Sequence, residues 1–183
     1  MGIEDALRKA LYETLMAKVQ ETFLGDAAGS TTKPAGIFYN VDSNDIESYE
    51  DLCDAEAKVA DSNVGGEMKY LMSNKAKAVV RTMAKSAMHT ELVLTGGKDI
   101  DGTEVIASSQ VPDNMYAFGN FKNIIFCQFG KDLDIVIDPY SLAAENQIRI
   151  IVTGWFDWKK VRADQDVIVY GEISRPEDTT TNP

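Results

Sequence analysis

The chain has 183 residues, 44% of them hydrophobic and 26% charged, the composition of a folded protein that forms one domain of ordinary size or two small ones sharing a core. Eighteen Lys and Arg stand against 29 Asp and Glu, a net charge of −11, which argues against tight phosphate-driven binding of nucleic acid because a duplex would meet net repulsion, and leaves room only for a local basic patch. The two cysteines, Cys53 and Cys127, read as buried free thiols in a reducing compartment, not as a disulfide framework, and no apolar run reaches the roughly 18 residues of a membrane span. The N-terminus, rich in Glu, Asp and Arg, has no signal-peptide core, so synthesis in the cytoplasm is expected.

Residues 3–24 read as an amphipathic helix. Ile3, Leu7, Leu11, Leu15, Val19 and Phe23 recur every four residues, Glu4 and Asp5 suit the positive end of the helix dipole, and Gly25 is a natural stop. Residues 26–34 (DAAGSTTKP) have the composition of a flexible connection, and 36–39 are briefly extended; no Lys follows paired glycines, so a phosphate loop is not indicated. A second helix is expected from about 45 to 60, with Asn44 and Glu47 as its cap pair and Ile46, Tyr49, Leu52, Cys53 and Ala60 as its apolar face. Its acidic side, Glu47, Glu50, Asp51 and Asp54, reads as a solvated face and not as a metal site.

Residues 69–72 make a short strand, after which Ser73 or Asn74 caps a third helix through Met83 with Ala76, Val79, Val80 and Met83 inward. Residues 91–94 and 105–108 flank Gly96-Gly97 and Asp101-Gly102 and read as a hairpin with a loose tip. The acidic sequence DIDGTE at 99–104 lacks the later ligand positions of a calcium loop and reads as an exposed turn.

The most apolar stretch is 114–161, broken at Gly130 and at Asp138-Pro139. Its last run alternates, with Ile148, Ile150, Val152, Gly154, Phe156 and Trp158 on one face and Arg149, Ile151, Thr153, Trp155, Asp157 and Lys159 on the other. This predicts a long antiparallel strand system onto which earlier elements return to pack, Trp158 facing the core and Trp155 facing away as a candidate subunit contact. Residues 171–183 are expected to form a disordered tail.

Catalytic constellations are sparse. His89 is the sole histidine, no GxSxG turn or glycine-rich nucleotide loop accompanies it, and no Cys or His cluster has zinc spacing. Asp132, Asp134 and Asp138 fall on one strand face, and with His89 they supply the alternative reading, an α+β hydrolase or metal-dependent enzyme. A small adaptor or carbohydrate-binding module with an aromatic groove beside Trp155 is a further alternative. Asp138-Pro139 is a turn signature in its own right. A structural or interaction protein without catalytic, cofactor-binding or metal-binding residues is the favoured reading.

Several fragments, in order, carry a resemblance. They are the long helix followed by Pro34-Ala35-Gly36-Ile37, Tyr70-Leu71-Met72-Ser73 leading into a helix containing Arg81, and Ser108-Ser109-Gln110-Val111-Pro112-Asp113. Phe118-Gly119-Asn120-Phe121, Asp138-Pro139-Tyr140 and Ile148-Arg149-Ile150 through Phe156-Asp157 follow. Together they resemble the major capsid proteins of tailed bacteriophages, the Hong Kong ninety-seven type. The resemblance implies an α+β fold with a long spine helix packed on a long antiparallel sheet, plus an axial α/β domain.

On that mapping residues 1–24 and 134–170 form the peripheral domain and 25–133 the axial domain, with the chain crossing between them at Asp138, Pro139 and Tyr140. The implied function is a shell subunit of an icosahedral phage or prophage capsid that encloses double-stranded DNA. The implied partners are copies of itself in pentamers and hexamers, with scaffold, protease and portal proteins; DNA is enclosed but not specifically bound, and no membrane is involved. The implied location is the virion capsid, with the host cytoplasm during assembly. Family members carry an N-terminal arm and an extended hairpin before the spine helix, and this sequence reads as a form trimmed of both, expected to be monomeric or weakly oligomeric. Glu104 replaces a frequent Pro before Val105-Ile106, and Arg162-Ala163-Asp164-Gln165-Asp166 departs from the usual Pro-Glu-Ala-Phe closing.

Overall fold

The computed structural model describes residues 3–63, 65–86, 89–96, 98–162 and 167–175, with the side chains of 3–5, 89, 90, 95 and 131–133 outside that description. In chain order the elements are α1 (Ile3–Phe23), α2 (Tyr49–Asp61), β1 (Lys69–Ser73), α3 (Asn74–Val80), β2 (Ala84–Ser86), β3 (His89–Leu92) and β4 (Leu94–Thr95). There follow β5 (Asp99–Ile100), β6 (Thr103–Ser108), β7 (Met115–Gly119), β8 (Ile124–Asp138), β9 (Arg149–Lys160) and β10 (Ile168–Glu172). They build a six-stranded sheet ordered β10-β7-β1-β6-β5-β4, a small β2-β3 sheet, and the long two-stranded β8-β9 hairpin.

The six-stranded sheet holds the core. β1 runs parallel to β6, Tyr70 opposite Val105, and antiparallel to β7, Tyr70 opposite Phe118. The parallel pair needs a crossover, and α3 lies in it. One face of the sheet buries Tyr70, Met72, Tyr116 and Phe118 against Leu52, Ala55 and Val59 of α2 and Ala76 and Val80 of α3. The other buries Ala117, Ile168 and Tyr170 against Ile37 and Phe38, and onto this second cluster lean Phe23 from α1 and Ile124 and Trp158 from the hairpin. Both layers follow from strand alternation, since β1 and β7 send successive side chains to opposite faces.

Several sequence expectations change for local physical reasons. Helix α2 starts at Tyr49, not near 45, because Ser48 is its N-cap and forms a full capping box with Asp51. Residues 43–46 instead run beside β10, where Ile46 bridges Ile173 and Asn44 N–H donates to the Tyr170 carbonyl at 2.8 Å. The later start rotates the buried face to Leu52, Ala55 and Val59, so Cys53 is exposed. Cys127 is also exposed, on the hairpin, and the expectation of two buried thiols is overturned.

The segment after α1 is not a loose connection. Gly36, Ile37 and Phe38 N–H groups donate to Ala27, Phe23 and Gly25 carbonyls, folding the chain back onto the helix end, and Ile37 and Phe38 are buried. Gly36 must be glycine because a Cβ there would lie 1.9 Å from the Gly25 carbonyl oxygen. The hairpin expected over 91–108 is a meander, β4-β5-β6, while β3 pairs with β2. Its second turn has Asp101 and Gly102 both at positive φ, the geometry that favours an Asp-Gly pair. Residues 171–173 belong to the fold and not to a tail: Gly171 and Glu172 lie in β10 and Ile173 is fully buried.

The largest correction concerns the core. The apolar stretch 114–161 contributes Tyr116, Ala117 and Phe118 to it through β7, but no described residue of β8 or β9 is fully buried. β8 continues through Gly130 with an irregularity between Phe129 and Asp134, so the expected boundary at 133/134 falls within one strand. β10 pairs with β7 in the six-stranded sheet and not with a strand of the hairpin.

Candidate functional site

The β8-β9 hairpin is registered from Ile124 opposite Lys160 to Asp138 opposite Arg149. Its alternation separates two faces. The inner face carries Phe126, Trp158, Phe156, Val152 and Ile150, and it meets the end of α1 through an aromatic cluster. Phe23 stands edge-on to Trp158 at 5.2 Å and to Phe126 at 5.9 Å, and Phe126 stacks on Trp158 at 5.9 Å between centroids. Trp158 Nε1–H donates to the Ala35 carbonyl at 2.7 Å, tying the hairpin to the segment that follows α1.

The outer face is open. Trp155 is 70% exposed, and its cross-strand partner Phe129 is 58% exposed. Ile125, Val136 and Ile151 extend the same face as exposed apolar residues. The stripe is broken by charge, because Cys127 pairs with Asp157 and Ile125 with Lys159.

Asp138, Pro139 and Tyr140 form the tip at the far end of the hairpin, where the chain turns back to β9. Asp138 Oδ1 accepts from Tyr140 N–H at 2.9 Å and Ser141 N–H at 3.1 Å, and Oδ2 accepts from the Ser141 hydroxyl. The Ser141 hydroxyl first, and then those two amides, hold the Asp138 carboxyl below the ordinary carboxylate range. Tyr140 is 86% exposed, and Asn146 at φ 59° closes the turn.

The residues of the alternative enzyme reading lie in two different sheets. Asp134 lies in β8 opposite Thr153, whereas His89 lies in β3 opposite Ser86 in a different sheet. The side chains of His89 and Asp132 lie outside the described residues. Among the described residues no group of three His, Cys, Asp or Glu is placed to hold a metal. In the acidic turn, Asp101 accepts from Tyr49 Oη–H at 2.7 Å and pairs with Lys85 at 2.6 Å, and Glu104 pairs with Lys69 at 2.6 Å. The Lys85 ammonium is the first cause that holds the Asp101 carboxyl below its usual range. No described helix is long and apolar enough to cross a membrane.

Sequence reasoning separated Trp155 from Trp158 by alternation, and the structure puts them on the exposed and half-buried faces respectively. It did not find Phe129 as the partner of Trp155. Cross-strand pairing depends on the register across the irregularity between Phe129 and Asp134, for which the sequence carries only Gly130 as a signal.

No protein-family model matches the chain, and no curated protein matches it in sequence. Solved structures do. The chain is similar to the capsid of a native GTA particle, with TM-score 0.64 and 16% identity over 95% of this chain and 73% of that one. It is similar to a chain of Gordonia phage Cozz, with TM-score 0.63 and 14% identity over 94% of this chain and 64% of that one. A chain of Mycobacterium phage Che8 follows, with TM-score 0.55 and 13% identity over 93% and 63%. The chain has a phage major capsid protein-like fold of mixed α+β class. It spans roughly two thirds of the length of these structures' chains.

Proposed function

We propose that the protein is a structural subunit of a phage or prophage capsid, which self-assembles into an icosahedral shell around double-stranded DNA and performs no catalysis. The observation that carries this reading is the likeness of fold over 93–95% of the chain to the capsid of a GTA particle and to two phage structures. The open apolar face of the hairpin supports it, because a shell subunit needs surfaces that stay exposed until copies meet.

In this reading α1 and the β8-β9 hairpin are the peripheral part, with Trp155 and Phe129 at a subunit contact, and Trp158 holds the hairpin on the helix. The six-stranded sheet with α2 and α3 is the axial part. Asp138, Pro139 and Tyr140 present a tip to a neighbouring copy. Scaffold, protease and portal proteins are the further partners, and assembly takes place in the host cytoplasm before the subunit resides in the virion. The net charge of −11 keeps enclosed DNA from adhering to the wall.

Electron microscopy of the full-length coding product, expressed alone and with a scaffold, tests the reading. Closed shells or curved sheets are expected. Persistent monomers under every assembly condition would overturn it, and tight duplex binding at physiological salt would remove the role assigned to the acidic charge.

A further inference from the structure

Where the base of the hairpin meets the six-stranded sheet, a cavity of about 320 Å³ opens. It is lined by residues 35–37, 39–42 and 44, by Ile124 and Trp158, and by Lys160 and Tyr170. Two polar groups of the residues that line it make no hydrogen bond or ion pair with a described residue. Tyr170 is 3% exposed, and its hydroxyl is the one buried side-chain polar atom among the described residues that has no hydrogen-bond partner. The Lys160 ammonium is half-buried 4.3 Å from the centroid of the Tyr170 ring, and no carboxylate of the described residues pairs with it.

Both groups are costly as they stand. A buried hydroxyl without a partner keeps its desolvation penalty, and a half-buried ammonium resting on an aromatic face has no carboxylate within ion-pair distance among the described residues. Burial pushes the Lys160 amine below its ordinary value, and the exposed Asp42 carboxylate draws it partly back. Asp42 also lines the cavity, and its carboxylate forms no ion pair with Lys160 among the described residues. A single water could satisfy the hydroxyl but would leave the ammonium unpaired.

We propose that this cavity is a carboxylate-binding site, in which one oxygen accepts from the Lys160 ammonium and the other from the Tyr170 hydroxyl. A carboxylate supplies two acceptors and the missing charge in a group small enough for the volume. It comes either from a free small carboxylic acid or from an Asp or Glu of a second copy. The site stands whether or not the chain forms shells.

A ¹H–¹⁵N NMR titration of the whole chain with sodium acetate, against sodium chloride at equal ionic strength, tests it. Saturable shifts at Tyr170, Lys160 and residues 39–42 are expected for acetate only, with a roughly millimolar dissociation constant for so small a ligand. Lys160→Met should weaken binding about tenfold or more, the loss expected for a charge-assisted hydrogen bond. Tyr170→Phe, which removes an unbonded hydroxyl and leaves the fold intact, should weaken it several-fold. No saturable shift, or an affinity unchanged in both variants, would overturn the assignment. Sedimentation velocity separates the sources: if a second copy provides the group, acetate and Lys160→Met both suppress self-association, and if a free acid does, neither changes it.

Discussion

The six-stranded sheet and the β8-β9 hairpin have similar apolar sequences and opposite fates. Among the described residues, all 23 buried hydrophobic ones lie in the six-stranded sheet or in the segments around it, and none lies in α1, β8 or β9. The difference lies in what covers each. The sheet is covered on one face by α2 and α3 and on the other by Ile37, Phe38 and the base of the hairpin. The hairpin meets the end of α1 and, at its base, the sheet on one face, and its other face is open at Trp155 and Phe129. Apolar content makes a strand able to be buried; only a second layer buries it.

Met72 is fully buried in the middle of the sheet, so Met72→Ala should lower stability by about 2 to 5 kcal/mol in urea unfolding. A loss below about 1 kcal/mol would show that the sheet is not the core. Trp158→Ala removes a half-buried ring and the bond to the Ala35 carbonyl and should cost about 2 kcal/mol, less than a fully buried aromatic. A loss larger than that of Met72→Ala would reverse the ranking of the two regions.

Asp51 carries the capping box of α2, so Asp51→Asn should cost about 1 kcal/mol. The amide of Glu47 is the first cause that holds the Asp51 carboxyl below its usual range. A folded value below the unfolded one gives stability that is present above the ordinary carboxylate range and lost as pH falls through the folded value. Glu56 has the opposite sign, because burial raises its carboxyl although the Tyr70 hydroxyl, donating at 2.8 Å, opposes the rise. Its contribution is present below the ordinary Glu value and lost as pH climbs through the raised folded value. Urea midpoints from pH 3 to 7 should therefore show a weaker acid-side loss in Asp51→Asn and a weaker loss on raising the pH in Glu56→Gln. An unchanged slope in either variant would contradict the corresponding assignment.

The smallest effect on stability should come from the outer face. Trp155→Ser and Phe129→Ser should change unfolding by less than about 0.5 kcal/mol, since both side chains are already exposed. Under the proposed function, however, either should abolish or delocalise shell assembly in electron micrographs. Normal shells from both variants would remove this face from the contacts.

Much of the fold was legible in the chain. The four-residue recurrence from Ile3 to Phe23 marks α1, Ser73 marks the start of α3, and the alternation from Ile148 to Trp158 separates the faces of β9. These signals are local, and neighbouring residues settle them. The start of α2 was misread because Asn44 and Ser48 are both good caps, and the choice was made by β10, over a hundred residues away, which takes Asn44 and Ile46 as partners. The pairing of Phe129 with Trp155 was invisible for the same reason.

The order of side chains along the chain sets where helical and extended segments form and which face of each is apolar, and it carries the ordered motifs that resemble a capsid subunit. Tertiary structure decided which apolar faces are covered: it buried Tyr70, Met72 and Tyr116, left Trp155 and Phe129 open, and gathered Lys160, Tyr170 and residues 35–44 around one cavity. Periodicity is written into successive side chains, whereas coverage depends on which distant element arrives, and that is a property of the whole chain's packing.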